Sequence, residues 1–173
     1  MPGVKISEFE KLRQDLPEYL VRARNARSQP SKEFLFASFI QKTFGITPED
    51  FSDKMEVPVV SKVLLVRGRI DAVFGNLLFE FKVDIDRELD DAKKEFTKYF
   101  QALKEKYPTT SYVGMATDDI KFKVFKPTFN KNGKLQKIVE IDSLNIEKEI
   151  SQPEKIYLWF DSYLRRYLQP PRT

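Results

Sequence analysis

Three ionisable residues, Asp71, Glu80 and Lys82, lie in a short stretch that otherwise has the pattern of a hydrophobic hairpin. Residues 68–83, GRIDAVFGNLLFEFKV, alternate on both sides of Gly75-Asn76, and such alternation is typical of strands with two different faces. Glycine and asparagine tolerate the positive φ that a tight hairpin turn requires. The pattern therefore predicts that the three charged side chains leave the sheet together, on the face opposite the phenylalanines.

These residue types suit one kind of chemistry. Carboxylate oxygens are preferred ligands of magnesium and manganese, so Asp71, Glu80 and the backbone carbonyl of Phe81 could bind one such ion. The ion would polarise a phosphoryl oxygen and generate a hydroxide nucleophile, while Lys82 could orient or deprotonate the attacking water. The set predicts phosphodiester hydrolysis. The alternative is a surface ion-pair cluster, which contributes only ~0–1 kcal/mol and is a weak reason for charge in so apolar a hairpin.

The composition restricts which enzymes the chain could be. Its 173 residues suggest one domain, and the absence of cysteine and histidine excludes disulfides, thiolate or imidazole metal sites, and Ser-His triads. An enzyme would have to work with carboxylates, lysines, tyrosines and hard metal ions. The net charge of +4 is compatible with a nucleic-acid partner. No apolar run approaches the ~20 residues that span a bilayer, so we expect a cytoplasmic chain without membrane contact.

The elements around the hairpin predict an α/β fold with a central mixed β-sheet flanked by helices. We expect a single nuclease-like domain over 1–168, and a linker that starts at 169–173. The core of the domain is about 31–126, the N-terminal helices are 4–26 and the C-terminal helix is 154–168. Within 4–26, Pro17 predicts a break between two short helices. The remaining predicted elements are a helix capped by Ser31 and ended by Gly45, a loop over 47–56, strands over 57–67, 111–116, 120–125 and 138–141, a helix over 84–107, a turn over 130–133 and a polar connection over 142–153.

Asp71, followed by Glu80-Phe81-Lys82 on the second strand of a hairpin and then by a long helix and a strand pair, resembles the PD-(D/E)XK superfamily of restriction-endonuclease-like nucleases. The resemblance covers roughly residues 31–126, including the topology. It implies a restriction-endonuclease-like fold that binds Mg²⁺, with Mn²⁺ as a substitute. It also assigns Glu33 to the site, binding the ion directly or through water. The other explanation for Glu33 is an acidic residue in the first turn of its helix, where the macrodipole favours it.

The sequence departs from the pattern of the superfamily at two places. Ile70 replaces the proline before Asp71, and Glu95 replaces the glutamine that often lies four residues before a tyrosine, here Tyr99. Residues 113–119 are similar to N-terminal nuclease regions of restriction-modification polypeptides. That similarity implies a covalently linked methyltransferase or specificity domain beyond residue 173, and it allows a homodimer.

Contact with DNA is predicted from basic residues near the hairpin and on the following strand pair. They are Arg69, Lys121, Lys123 and Lys126, which could follow phosphates. A lysine-rich sheet edge that resists aggregation would have the same composition. The expected function is a magnesium-dependent DNA endonuclease domain. The alternatives are a catalytically silent nuclease-like fold that acts as a nucleic-acid-binding or assembly module, and a nuclease that acts on RNA or on DNA ends.

Overall fold

The computed structural model describes residues 2–46, 72–74 and 76–168, with side chains described over 9–46 and 76–164. Within these ranges there are four helices and five strands. The helices are α1 (Pro2–Asn25), α2 (Gln29–Phe44), α3 (Ile85–Lys106) and α4 (Pro153–Leu168). The strands are β1 (Ala72–Phe74), β2 (Leu77–Phe81), β3 (Val113–Thr117), β4 (Lys121–Phe129) and β5 (Leu135–Asn145).

The five strands form one open sheet in the order β1-β2-β3-β4-β5. β1 and β2 are the predicted antiparallel hairpin, with Ala72 opposite Phe79. β2 and β3 run parallel, with Phe81 opposite Thr117, whereas β3, β4 and β5 are antiparallel to one another. A parallel step requires a crossover connection, and α3 supplies it. The sheet is therefore mixed, which confirms the α/β class with helices on both faces.

The two faces of the sheet are covered by different helices. Leu77, Phe79 and Phe81 of β2 enter a core that contains residues of α1, α2 and α4. Leu78 enters a second core beneath α3. All five residues of β2 are buried, as expected for a strand whose two faces are both covered by helices. Because side chains alternate, Glu80 shares the α3 face with Leu78 and lies opposite the phenylalanines, as the sequence predicted.

The predicted break at Pro17 is wrong, because α1 is a single helix with Pro17 inside it. Leu12, Leu16 and Leu20 are buried on both sides of the proline, which itself is exposed. One lost backbone hydrogen bond on the solvent side is offset by a continuous apolar stripe against the core. Packing against the core therefore keeps α1 continuous, although Pro17 by itself predicts a break.

The predicted cap of α2 is also wrong by three residues. The N-cap is Ser28, whose Oγ accepts a hydrogen bond from the Ser31 backbone nitrogen at 3.2 Å, and Pro30 occupies the first turn. Gly45 ends the helix in the left-handed conformation, with φ of 70°, as predicted. Glu33 consequently lies in the second turn, so the helix macrodipole gives it less support than expected.

The elements after β2 differ from the predicted ones mainly in length. The helix predicted over 84–107 is confirmed as α3, with Asp84 as its N-cap. β3 is shifted by one to two residues from the predicted strand, and β4 and β5 are longer than predicted, so part of the expected polar connection belongs to β5. Most β5 side chains are exposed or half-buried, so the strand carries little apolar alternation. The predicted loop 47–56, strand 57–67 and linker 169–173 lie outside the described residues.

Gly114 of β3 provides a test of packing beneath α3. A Cβ at this position would lie 2.8 Å from Cε1 and Cζ of Phe96, whose ring stacks on Phe100 and also meets Phe125. We expect Gly114→Ala to destabilise the fold by about 1–3 kcal/mol, measured by urea unfolding. The double variant Gly114→Ala/Phe96→Leu should lose less than the two single losses combined. Strictly additive losses would contradict this account.

None of the described helices is both long enough and apolar enough to cross a bilayer.

Candidate functional site

Glu80 and Lys82 are two residues apart at the carboxyl end of β2, where Glu80 is on the α3 face. The side chains are almost completely buried, with 3% and 8% of their surfaces exposed. The backbone nitrogen of Lys82 donates to the Thr117 carbonyl at 2.9 Å, which extends the β2–β3 pairing past Phe81. The extension keeps Lys82 in strand alternation with Glu80. The predicted convergence of Asp71, Glu80 and Lys82 stays a prediction, because Asp71 lies outside the described residues.

A row of residues runs across the sheet from Glu80. Glu80 pairs with Ala116, and Ala116 pairs with Lys123, so the three side chains leave the same face. Ala116 carries only a methyl group, so no large side chain stands between the acid and the lysine. The row places one of the predicted DNA-contacting lysines on the same face as the Glu80 carboxylate.

Of the other residues that the sequence analysis named around the site, some lie outside the described ranges and some lie within them. Asp71 and Arg69 lie outside the described residues, immediately before β1. Tyr99 is buried in the core beneath α3, and Glu95 is half-buried with an ion pair to Lys98 at 3.4 Å.

Two of the predicted DNA-contacting lysines have acidic partners within the chain. Lys121 binds the Asp86 carboxylate in the first turn of α3, and this hydrogen bond raises the pKa of Lys121 above its ordinary value. Lys123 Nζ lies 3.4 Å from Glu140 of β5. Such surface pairs are weak, so phosphate oxygens could replace the carboxylates. Lys126 is exposed.

The turn between β3 and β4 holds two acidic residues that belong to the stretch 113–119 but were not predicted as site residues. Asp118 Oδ1 accepts hydrogen bonds from the backbone nitrogens of Ile120 and Lys121, at 3.1 and 2.8 Å. Its Oδ2 accepts from the nitrogen of Ile85, the first residue of α3, at 3.2 Å. The turn is thereby attached to the start of α3, just beyond Lys82.

Asp119, the next residue, is a completely buried carboxylate with an unusual backbone. Its φ is 73°, in the left-handed region that non-glycine residues rarely adopt. Its nitrogen donates to Thr117 Oγ1 at 2.8 Å, and its carbonyl accepts from the Tyr19 hydroxyl at 2.6 Å. Within the described part of the chain, neither carboxylate oxygen has a hydrogen-bond partner. Buried polar groups without partners are uncommon and costly.

The electrostatic surroundings of Asp119 come from α1, α2 and the turn itself. Burial raises the pKa of the Asp119 carboxyl well above its usual range; Lys32 opposes this rise, while Asp118 and Glu33 add to it. Burial also raises the pKa of Tyr19, with contributions from the two aspartates, so its hydroxyl remains a donor. Glu33 therefore has Asp119 as an electrostatic neighbour, a residue that the sequence analysis did not select.

Lys32 connects this acidic turn to the two N-terminal helices. It is 2% exposed, and its Nζ donates to the carbonyls of Ala23 at 2.5 Å and Asp118 at 2.9 Å. An ammonium has three protons, and these bonds use two of them. Lys32 thus joins the end of α1, the first turns of α2 and the β3–β4 turn. No local sequence pattern indicates such a contact, because the bonded residues are 86 positions apart.

Among the residues that the structure describes, no group of three or more acidic side chains is arranged as a metal site. That search does not include Asp71. No family model, curated protein or solved structure matches the chain.

Proposed function

We propose that this chain is a magnesium-dependent DNA endonuclease domain with a restriction-endonuclease-like arrangement. The observation that supports the proposal best is the juxtaposition of Glu80 and Lys82, both nearly buried, on one face at the carboxyl end of β2. Ionisable groups enclosed at the end of a strand need pairing, hydrogen bonds or a metal ion, and such groups are common at functional sites. The mixed sheet, with α3 crossing between β2 and β3, supplies the scaffold that such a site uses.

The donor set fits a hard divalent cation. Ala72 of β1 pairs with Phe79 of β2, and Asp71 and Glu80 are the next residues in sequence beyond this pair. The two carboxylates and the Phe81 carbonyl would then bind Mg²⁺ or Mn²⁺, with Glu33 completing the set through water. Oxygen ligands of this kind, with room for several waters, are what magnesium prefers.

Each remaining part of the site has a defined task. A bound Mg²⁺ would polarise the scissile phosphoryl group and acidify a bound water. Lys82 would orient that water and stabilise the charge that develops on the phosphate oxygens. Lys123 and Lys121, with Arg69 and Lys126, would hold the DNA backbone by exchanging their acidic partners for phosphates.

The wider context is proposed on the resemblance alone. The domain would act within a restriction-modification type protein, attached to a methyltransferase or specificity domain beyond residue 173. A homodimer would allow both strands to be cut. Both features are proposals that a longer chain and a measured oligomeric state would test.

Magnesium titration by calorimetry, combined with cleavage of duplex DNA, tests the proposal. Asp71→Asn and Glu80→Gln are each expected to weaken magnesium binding at this site by tenfold or more and to abolish cleavage. Asp90→Asn, which changes an exposed acid of α3, is the matched control and should leave both unchanged. Cleavage that survives both site substitutions would reject the assignment, and DNA binding without any metal dependence would instead support the binding module. A panel of linear, circular, single-stranded and RNA substrates identifies which nucleic acid is cut.

A further inference from the structure

We propose that Asp119 and Glu33 bind a second divalent cation of the magnesium class, on the side of the sheet covered by α1 and α2. This inference does not depend on the site at Glu80 and Lys82, which lies on the α3 face. Glu33 belongs to α2 and has Asp119 as its electrostatic neighbour, so it is a direct ligand here and would reach an ion at Glu80 only through water. The proposed ligands are set by α2 and by the β3–β4 turn, at the end of the sheet where β2 and β3 finish.

The first argument is the state of the Asp119 carboxylate. The residue is completely buried, and neither carboxylate oxygen has a hydrogen-bond partner among the described residues. Its backbone groups are occupied, the nitrogen by Thr117 Oγ1 and the carbonyl by the Tyr19 hydroxyl. The carboxylate is therefore fixed in place and has both oxygens available. Metal coordination is one of the few ways in which a protein accommodates such a group.

The second argument is the balance of charge around it. The groups that face Asp119 are Tyr19 from α1, Lys32 and Glu33 from α2, and Asp118 from the turn. The raised pKa of Asp119 favours its neutral form, and a cation that displaced this proton would leave three carboxylates facing a single ammonium. One divalent cation would neutralise the remaining two charges.

The third argument is that the neighbouring groups are already engaged. Three backbone nitrogens occupy the Asp118 carboxylate, which removes it as a competing ligand. Lys32 directs two of its protons at the carbonyls of Ala23 and Asp118, without a hydrogen bond to the Asp119 carboxylate. Asp119 is thus the acid whose two carboxylate oxygens have no hydrogen-bond partner among the described residues. The enclosed position and the oxygen donors favour a small hard ion over an organic cation.

Manganese counted by electron paramagnetic resonance, with Mn²⁺ alone as the probe, tests the proposal. Wild-type protein is expected to bind two ions, and Asp119→Asn is expected to bind one. Glu80→Gln should lose the other ion, so the two sites are counted separately. Glu33→Gln in the Glu80→Gln background, where only the Asp119 site is counted, should weaken manganese binding about tenfold or more. The exposed Asp90→Asn serves as the control and should retain both ions.

The outcomes separate this proposal from the proposed function. A wild type that binds one ion, lost in Asp119→Asn and retained in Glu80→Gln, would support the Asp119 site and reject the magnesium site at Glu80. Unchanged stoichiometry and affinity in Asp119→Asn would overturn the Asp119 site, because the buried acid would then simply be protonated. If Asp119→Asn does not fold, as judged by circular dichroism, manganese affinity in Glu33→Gln/Glu80→Gln that equals the affinity in Glu80→Gln overturns the proposal instead.

Discussion

Replacing Lys82 with methionine is expected to lower the rate of DNA cleavage by about a thousandfold while leaving metal binding in place. Lys82 is 8% exposed and follows Glu80 by two residues. Methionine has a side chain of similar volume, so the substitution removes only the charge and its protons. Because the metal ligands are carboxylates and a carbonyl, magnesium affinity should persist or increase slightly. Single-turnover cleavage and magnesium calorimetry on the same preparation separate the two effects.

The control for this substitution is Lys126→Met, which removes an exposed ammonium from β4. It should weaken DNA binding slightly and reduce the salt dependence, with no change in the rate at saturating DNA. A Lys82→Met protein that cleaves at the wild-type rate would remove Lys82 from the catalytic site. A protein that has lost both cleavage and magnesium binding would show that the ammonium is structural.

Replacing Lys32 with methionine is expected to destabilise the fold by about 3–5 kcal/mol, measured by urea unfolding in the presence of a chelator. The substitution leaves two buried carbonyls, those of Ala23 and Asp118, without their donor. It also removes the ammonium that lowers the electrostatic cost of the Asp119 carboxylate. The surface pair of Lys42 with Asp15 offers a matched control, because Lys42→Met should cost no more than ~1 kcal/mol.

A double-mutant cycle shows how much of this loss is electrostatic. Asp119→Asn alone should leave the chelated protein at least as stable as the wild type, because the amide is neutral and asparagine tolerates the left-handed backbone. Combined with Lys32→Met, it should recover part of the loss, and the non-additive part measures the coupling between the ammonium and the carboxylate. Independent effects of the two substitutions would mean that Lys32 acts only through its carbonyl contacts.

The hairpin could be predicted from sequence because its signal is local. Alternation around Gly75-Asn76 predicted two strands. The alternation within β2 alone was enough to put Glu80 on the face of the sheet opposite to that of Phe79 and Phe81. The long amphipathic helix after it was predicted for the same reason. In each case the residues that determine the element lie within it.

The features that were missed depend on contacts between distant parts of the chain. Pro17 is tolerated because residues of α1 on both sides of it pack against the core. The sequence of the segment alone does not show this packing. Asp119 reads as one more polar residue of a turn, and only the hydroxyl of Tyr19, 100 positions away, and the ammonium of Lys32 reveal its environment. β5 was underestimated because its exposed side chains carry no periodic apolar signal.

The bond from the Tyr19 hydroxyl to the Asp119 carbonyl has a consequence for the smallest unit that can fold. The first helix supplies a donor to the turn at the end of β3, the Ala23 carbonyl to Lys32, and leucines to the main core. A shortened chain that starts at α2 would leave those groups facing water. The helix before residue 26 therefore encloses the β3–β4 turn around Asp119, and a shortened domain for spectroscopy or fusion must keep it.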